Sequence, residues 1–165
     1  MVGAIKSVFV LMEWNMTYDS RSDTYEHIHN VQTFIEMYIE HLLWRMTKHD
    51  NSKLEEPEKS MYDVFTPKLR GMTYGSDEYK ECLKQMGTAL QHHYEHNEHH
   101  PEHYKNGIAG MNLLDVLEML ADWKAAGMRH ADGSMTKSLE VNRKRFDMSD
   151  QLFEIIKNTI ELLRW

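Results

Sequence analysis

Apolar residues in this chain recur every three or four positions, and very few residues interrupt the pattern. Only three prolines and eight glycines occur in 165 residues, and no stretch alternates apolar with polar at strand spacing. That restricts the fold to helices packed on helices. The length is that of one domain, 1–165, enough to bury roughly 70% of the unfolded chain's surface. We therefore expect an all-α, compact single-domain bundle of six or seven helices, with an N-terminal segment over 1–22 and a core over 23–163.

The clearest helix opens at Asp23-Thr24-Tyr25-Glu26, which has the form of a capping box. Its apolar stripe is Ile28, Val31, Phe34, Ile35, Tyr38, Leu42 and Met46, and it runs to about Thr47. The apolar stretch over 5–16 favours a helix over a strand. Pro57 starts a short helix to Phe65, and 67–75 reads as a loop. Ser76 caps the next helix, whose stripe is Tyr79, Cys82, Leu83, Met86, Leu90, His93 and Asn97. Asn112 opens a helix over 113–126 that Gly127 ends as a left-handed cap. Asp132-Gly133 marks a turn, and two last helices cover 137–146 and 150–163, the second capped by Ser149.

Charge and cysteine content narrow the function classes. The net charge of −7 argues against a surface for a nucleic-acid duplex, because phosphate contacts need clustered Lys and Arg. A small phosphate-bearing ligand stays open, since a metal supplies positive charge locally. Cys82 is the one cysteine, so no intrachain disulfide forms, which suits a reducing cytoplasm. The apolar run over 8–12 is too short for a signal-peptide core or for the ~20 residues of a membrane span. The expectation is a soluble cytoplasmic protein without a membrane partner. Thirteen methionines and four tryptophans fit either a Met-rich core or the sticky interface of a homo-oligomer.

Chemistry concentrates on histidine and aspartate. His49-Asp50 offers a borderline nitrogen ligand and a hard oxygen ligand from one turn of backbone, followed by Asn51-Ser52-Lys53. Of eleven histidines, His27 shares the stripe of Val31 and Phe34, whereas His29 lies with Glu36 and Glu40 on the polar face. His41 sits at the stripe's edge and reads as packing. His93 continues the stripe of Met86 and Leu90, His92 points elsewhere, and His96 is at the border. His99 and His100 fall at a helix end, where periodicity assigns no direction. Taken singly, each inward histidine is more readily a hydrogen-bonded core residue than a ligand. Their occurrence together with a His-Asp pair favours a ligand set.

The helix over 113–126 is apolar almost all round, while Asp115, Glu118 and Asp122 share one stripe. Two readings follow: the stripe faces solvent, with Asp115 serving the helix N-terminus, or Asp122 points into a polar cavity and meets a cation.

These residues resemble the HD-domain metal-dependent phosphohydrolase superfamily. Glu26-His27-Ile28-His29-Asn30-Val31 looks like its first-His segment, His49-Asp50 like its signature pair, and Asp122 in Glu118-Met119-Leu120-Ala121-Asp122-Trp123 like its closing Asp. The run His49-Asp50-Asn51-Ser52-Lys53 is similar to the His-Asp-x-Gly-Lys form of members with two or more metals, with Ser52 in place of Gly. Such members carry two extra His ligands in the interval that here holds His92-His93 and His99-His100, more tightly spaced than in the family. The chain is also similar, over most of 24–160, to small phage and bacterial proteins that share the His-Asp-x-Ser-Lys run, the Asn-x-His-His stretch and the Glu-Met-x-x-Asp-Trp helix; these imply no defined substrate.

The resemblance implies a metal shell of His27, His49, Asp50 and Asp122, with His93, His99 and His100 as candidates for a second ion. A mixed nitrogen and oxygen set suits Mn, Fe, Co, Ni or Zn, one or two ions. The implied reaction is cleavage of a phosphoester of a small nucleotide or cyclic nucleotide by metal-bound hydroxide. Lys53 would neutralise a phosphate oxygen, Asp50 would serve the reaction as well as the metal, and Asn97 would orient ligand or substrate. Tyr104 and Arg129 are further candidates for substrate contact. Two other classes stay open: a di-iron oxygenase of the inositol-oxygenase type, and a non-catalytic helical protein that a metal stabilises or that binds a host partner.

Overall fold

The capping residues named from the sequence do much of the work of starting helices. Ser76 accepts a hydrogen bond from Tyr79 N (3.1 Å), Asn112 from Leu114 N and Asp115 N, and Ser149 from Leu152 N (3.3 Å). This computed structural model describes residues 18–165 except 74 and 130–132, so the expectations for 5–16 and for the turn at Asp132 lie outside the described residues. Among the described residues the chain is all-α, with seven helices and no strand. The helices are α1 (Arg21–Lys48), α2 (Glu58–Arg70), α3 (Asp77–Gln85), α4 (Gly87–His96), α5 (Leu113–Gly127), α6 (Met135–Arg145) and α7 (Asp150–Leu163). Short 3-10 turns cover Asn51–Leu54, Pro101–His103 and Gly107–Gly110. None of the described helices is long and apolar enough to cross a membrane.

The chain divides into two units, Met1–Met37 and Tyr38–Trp165, with the boundary inside α1. In the first unit every described residue is exposed. α1 opens at Arg21, and Thr24 N bonds Ser20 O at 2.9 Å, so Asp23 lies in the first turn instead of capping it. The inward stripe expected for this helix is not buried: Ile28, Val31, Phe34, Ile35, Tyr38 and Met46 are all exposed, and α1 as a whole contains no buried residue. His41 is likewise exposed and does not pack. Periodicity fixes which side chains share a helix face; burial also requires an element laid against that face.

Among the described residues the second unit has two apolar cores. Val116, Met119, Leu120, Met135, Leu139, Met148, Phe153, Ile156 and Ile160 make the larger one between α5, α6 and α7. Phe65, Cys82 and Met86 make the smaller one between α2, α3 and α4. The smaller core explains one departure from expectation. α2 runs through Pro67 to Arg70, because Leu69 packs against that core and holds a last turn that proline deprives of one bond. The helix expected after Ser76 breaks at Gly87, which takes a left-handed φ of 51°. Burial nevertheless continues through Cys82, Met86, Ala89, His93 and Asn97 at helical spacing. Gly127 is not a left-handed cap; it ends α5 in helical geometry, and Met128 follows at φ −65°.

Candidate metal centre

The site begins where α1 stops. His49 N makes the last helical bond, to Arg45 O at 2.8 Å. Asp50 then takes a left-handed conformation, φ 58° and ψ 13°, which Asp and Asn tolerate better than other non-glycine residues. That reversal starts the Asn51–Leu54 turn and leaves Asp50 Oδ2 3.6 Å from His49 Nε2. It also brings Lys53 back, with Nζ 2.5 Å from Asp50 Oδ2.

The candidate nitrogen ligands come from α4 and the segment after it. His93 lies in the last turn of α4, and His99 and His100 follow Asn97 before Pro101 turns the chain. Asp50, His93, His99 and His100 each bring one ligand atom within 4.8 Å of the others. His49, Asp50 and Asp122 form a second such group, and His49, His99 and Glu118 a third. Within the first group His93 Nε2 and His100 Nε2 are 2.9 Å apart, and Asp50 Oδ1 is 3.4 Å from His93 Nε2 and 3.5 Å from His99 Nε2. Ligands held ~2.0–2.1 Å from one ion stand roughly 2.9 Å apart at a right angle and about 3.4 Å apart at the tetrahedral angle. These three separations are close to that range.

Two carboxylates orient the imidazoles from behind. Glu58, fully buried, places Oε2 2.9 Å from His93 Nδ1 and Oε1 2.7 Å from His92 Nδ1. A proton on His93 Nδ1 leaves Nε2 bare toward His100, and two ring nitrogens at 2.9 Å need a proton or a cation between them. Asn97 Nδ2 donates to Ser52 Oγ (2.8 Å) and to the backbone oxygen of His93 (2.7 Å), tying the end of α4 to the turn after Asp50. On the other side, Glu118 Oε1 meets His49 Nδ1 at 2.9 Å and His99 Nδ1 at 3.3 Å, while its Oε2 accepts from Arg45 Nη1 at 2.8 Å. Arg45 also reaches the fully buried Asp115 at 2.5 Å, and Tyr104 Oη donates to the other oxygen of Asp115 at 2.7 Å. Glu118 is thus engaged at both oxygens by donors, in the position of a carboxylate that orients ligand histidines.

The electrostatics suit a cation. Burial, reinforced by Lys53, holds His93 down to about 4, and burial with the neighbouring His99 and His93 pushes His100 further in the same direction. Both imidazoles are therefore neutral donors at physiological pH. Burial and then Asp50 raise Asp122. Asp50 itself is held below its ordinary range: burial opposes this, but the charge and hydrogen bond of Lys53 outweigh it. For Glu118 burial acts upward, and the bonds from His49, His99 and Arg45 overcome it and keep the carboxyl well below the usual range. His49 is raised by its bond to Glu118. Asp50 Oδ1 and His99 Nε2 are both buried with no hydrogen-bond partner among the described residues. Orphaned buried polar atoms of this kind are uncommon, and an oxygen facing imidazole nitrogens is the donor set of a divalent transition metal. The residues present fit such an ion.

The cluster joins His49, Asp50, His93, His99, His100 and Asp122, six of the seven residues expected to bind metal. His27 is exposed, lies in the first unit, and belongs to none of the three groups. His49 and Asp122 are partly open to solvent, as is Lys53, at 31%, 25% and 29%, whereas His93 and His99 are 1% exposed. Of the α5 acidic stripe, Asp115 is buried and Glu118 and Asp122 face the histidines. Arg129 is exposed. Sequence reasoning did not find Glu58, Arg45 or the orienting role of Glu118. Glu118 could have been taken from its place one turn before Asp122, whereas no periodicity points to Glu58 directly after Pro57.

The chain belongs to a family of unknown function, DUF5662, whose family model matches residues 16–162. No curated protein matches the chain, and no solved structure does.

Proposed function

We propose that this member of the DUF5662 family is a metal-dependent phosphohydrolase acting on a small phosphoester, a nucleotide or cyclic nucleotide. The observation that carries the reading is the Asp50 carboxylate. Its Oδ1 faces His93 and His99, and its Oδ2 faces His49 at 3.6 Å and Lys53 at 2.5 Å. One carboxylate therefore belongs to two candidate ligand groups and touches a cation of the protein. His93, His99, His100 and Asp50 would hold one ion, and His49, Asp50 and Asp122 would hold a second. A bound divalent ion supplies Lewis acidity and a water acidic enough to ionise near neutral pH.

The remaining roles fall to the chain's own groups. Lys53 Nζ lies on the more open side of the cluster and offers one positive charge to a non-bridging phosphate oxygen. Glu58 and Glu118 fix the tautomers and directions of His93, His49 and His99. Asn97 is buried, with its amide bonded to Ser52 and His93, and so acts through His93. The net charge of −7 favours a small substrate over a duplex.

The test is phosphate release from nucleoside monophosphates, their cyclic forms and simple phosphomonoesters, with Mn, Co, Ni or Mg. The expected result is metal-dependent turnover that Asp50→Asn abolishes and Lys53→Ala lowers by roughly tenfold or more. Absence of release from every substrate by metal-loaded protein would reject it, and iron-dependent oxygen uptake would move the assignment to an oxygenase.

A further inference from the structure

Outside the metal centre, and entirely within the second unit, residues of α3, α4 and α6 line a groove of about 780 Å³. That volume suits a drug-sized ligand. Tyr79 and Leu83 of α3, Leu90 and Tyr94 of α4 and Val141 of α6 give it apolar walls. Val141 remains 42% exposed and the other four are half-buried, so the groove opens to solvent. Helical spacing explains the lining. Positions 79, 80, 83 and 84 share one side of α3, and 140, 141, 144 and 145 share one side of α6. The neighbours of the apolar residues on those sides are mostly basic. Lys80, Lys84, Lys144 and Arg145 line the groove against two carboxylates, Glu102 and Glu140. In a chain of net charge −7 this is a local excess of positive charge.

We propose that this groove binds a small organic anion with an aromatic body and one anionic head, a carboxylate, sulfonate or phosphate. The body lies against Leu83, Leu90, Val141 and the two tyrosine rings, where apolar area leaves water and ring meets ring. The head meets the lysines. Lys80 pairs with Asp77 at 3.2 Å and Lys84 with Glu81 at 3.9 Å, but both pairs are exposed, so solvent screens them and they yield to a ligand. Lys144 has no ion-pair partner among the described residues. Arg145 is held by Glu102 at 2.5 Å and reaches Tyr94 Oη at 3.3 Å, so it braces the wall. Charge selects the ligand class: a neutral molecule of the same shape gains the apolar contribution only. The Tyr94 ring lies 5.0 Å from the ring of His100, so one wall of the groove packs on a candidate metal ligand. The inference does not rest on the phosphohydrolase reading.

The experiment uses the full chain and two fluorescent probes, the anion anilinonaphthalene sulfonate and its neutral analogue phenylnaphthylamine. Fluorescence titration measures affinity, and amide NMR shifts locate the probe. The sulfonate is expected to saturate one site roughly fivefold or more tighter than the neutral probe, to weaken as salt is added, and to shift Leu83, Leu90 and Val141. Two variants test the location. Val141→Trp fills the groove, and Lys80→Glu with Lys144→Glu reverses its charge. Each is expected to weaken the sulfonate by about tenfold or more. All three positions are exposed, and circular dichroism verifies folding. Affinity within twofold of the parent in either variant would overturn the proposal, as would shifts confined to the exposed stripe of α1. Equal binding of the neutral probe would overturn the choice of an anion. Metal binding and phosphate release are measured separately, so failure here leaves the reading of the buried cluster standing.

Discussion

Replacing Glu118 by Gln removes one charge and exchanges one acceptor oxygen for a donor nitrogen, at a position where donors approach both oxygens. His49 Nδ1 and His99 Nδ1 address Oε1, and Arg45 Nη1 addresses Oε2. Whichever way the amide turns, its NH2 confronts an imidazole N–H or the guanidinium. Hydrogen bonds to charged groups contribute about 1.5–3 kcal/mol each, so two weakened bonds set an upper range of roughly 3–6 kcal/mol. Arg45 keeps Asp115 at 2.5 Å and Glu98 at 2.9 Å, which offsets its share. We expect a net loss of about 2 kcal/mol in fold stability. The larger consequence concerns the metal. Loss of an orienting partner lowers metal affinity by about 10–100-fold, and here two candidate ligand histidines lose theirs at once. Urea unfolding of the metal-free protein measures the first quantity, and competition with a chelator for Mn(II) or Zn(II) measures the second. A folded Glu118→Gln protein that binds metal within twofold of the parent would refute the reasoning, because Glu118 would then not set the direction of His49 and His99.

The other expectations are of the same kind. Asp50→Asn should retain the fold to within about 1 kcal/mol, since Asn accepts the left-handed backbone, and should lose metal binding; urea unfolding with metal analysis separates the two effects. Ile156→Ala, at a 1% exposed core position, should lose about 2–5 kcal/mol without changing the affinity of the remaining folded protein for metal. Between the ordinary histidine value near 6.5 and its folded value of about 4, the unfolded chain binds a proton at His93 that the native state does not. Stability contributed by His93 is therefore complete above about 6.5 and is lost as pH falls toward 4, by about 3 kcal/mol, as urea curves of chelator-treated protein at pH 7, 6, 5 and 4 should register. Depressed Glu118 adds to the loss at the acid end, whereas raised His49 contributes stability below its ordinary value that fades as pH rises through its folded one. A slope from pH 7 to 4 that is the same in His93→Gln as in the parent would contradict the burial of a neutral His93.

Helical class, the starts at Ser76, Asn112 and Ser149 and most of the second unit's helices could be read from the sequence, because caps and breakers act within a few residues. The burial of His93 was legible for a similar reason: it extends the spacing of Met86, and a left-handed Gly87 does not disturb that spacing. His27 shows where the same logic stops. It shares a stripe with Val31 and Phe34, yet that stripe is exposed, because amphipathicity states which side chains lie together and not what covers them. Ligand chemistry singled out His49-Asp50, the acidic stripe of α5 left Asp122 as one of two readings, and the resemblance favoured it; the fold does bring the three together. Glu58 and Arg45 carry no periodic signal, and their contacts join positions 35 and 70 residues apart in the chain. Contacts of that kind arise from tertiary packing alone.

The most direct test of the buried cluster is the position of bound metal. Crystals of the full chain soaked in Mn(II) or Zn(II) should give an anomalous difference peak within ligand distance, about 2.0–2.2 Å, of His93, His99, His100 and Asp50, with a further peak at His49, Asp50 and Asp122 if two ions bind. Loaded crystals with no peak at either place, and metal only elsewhere on the chain, would contradict the account.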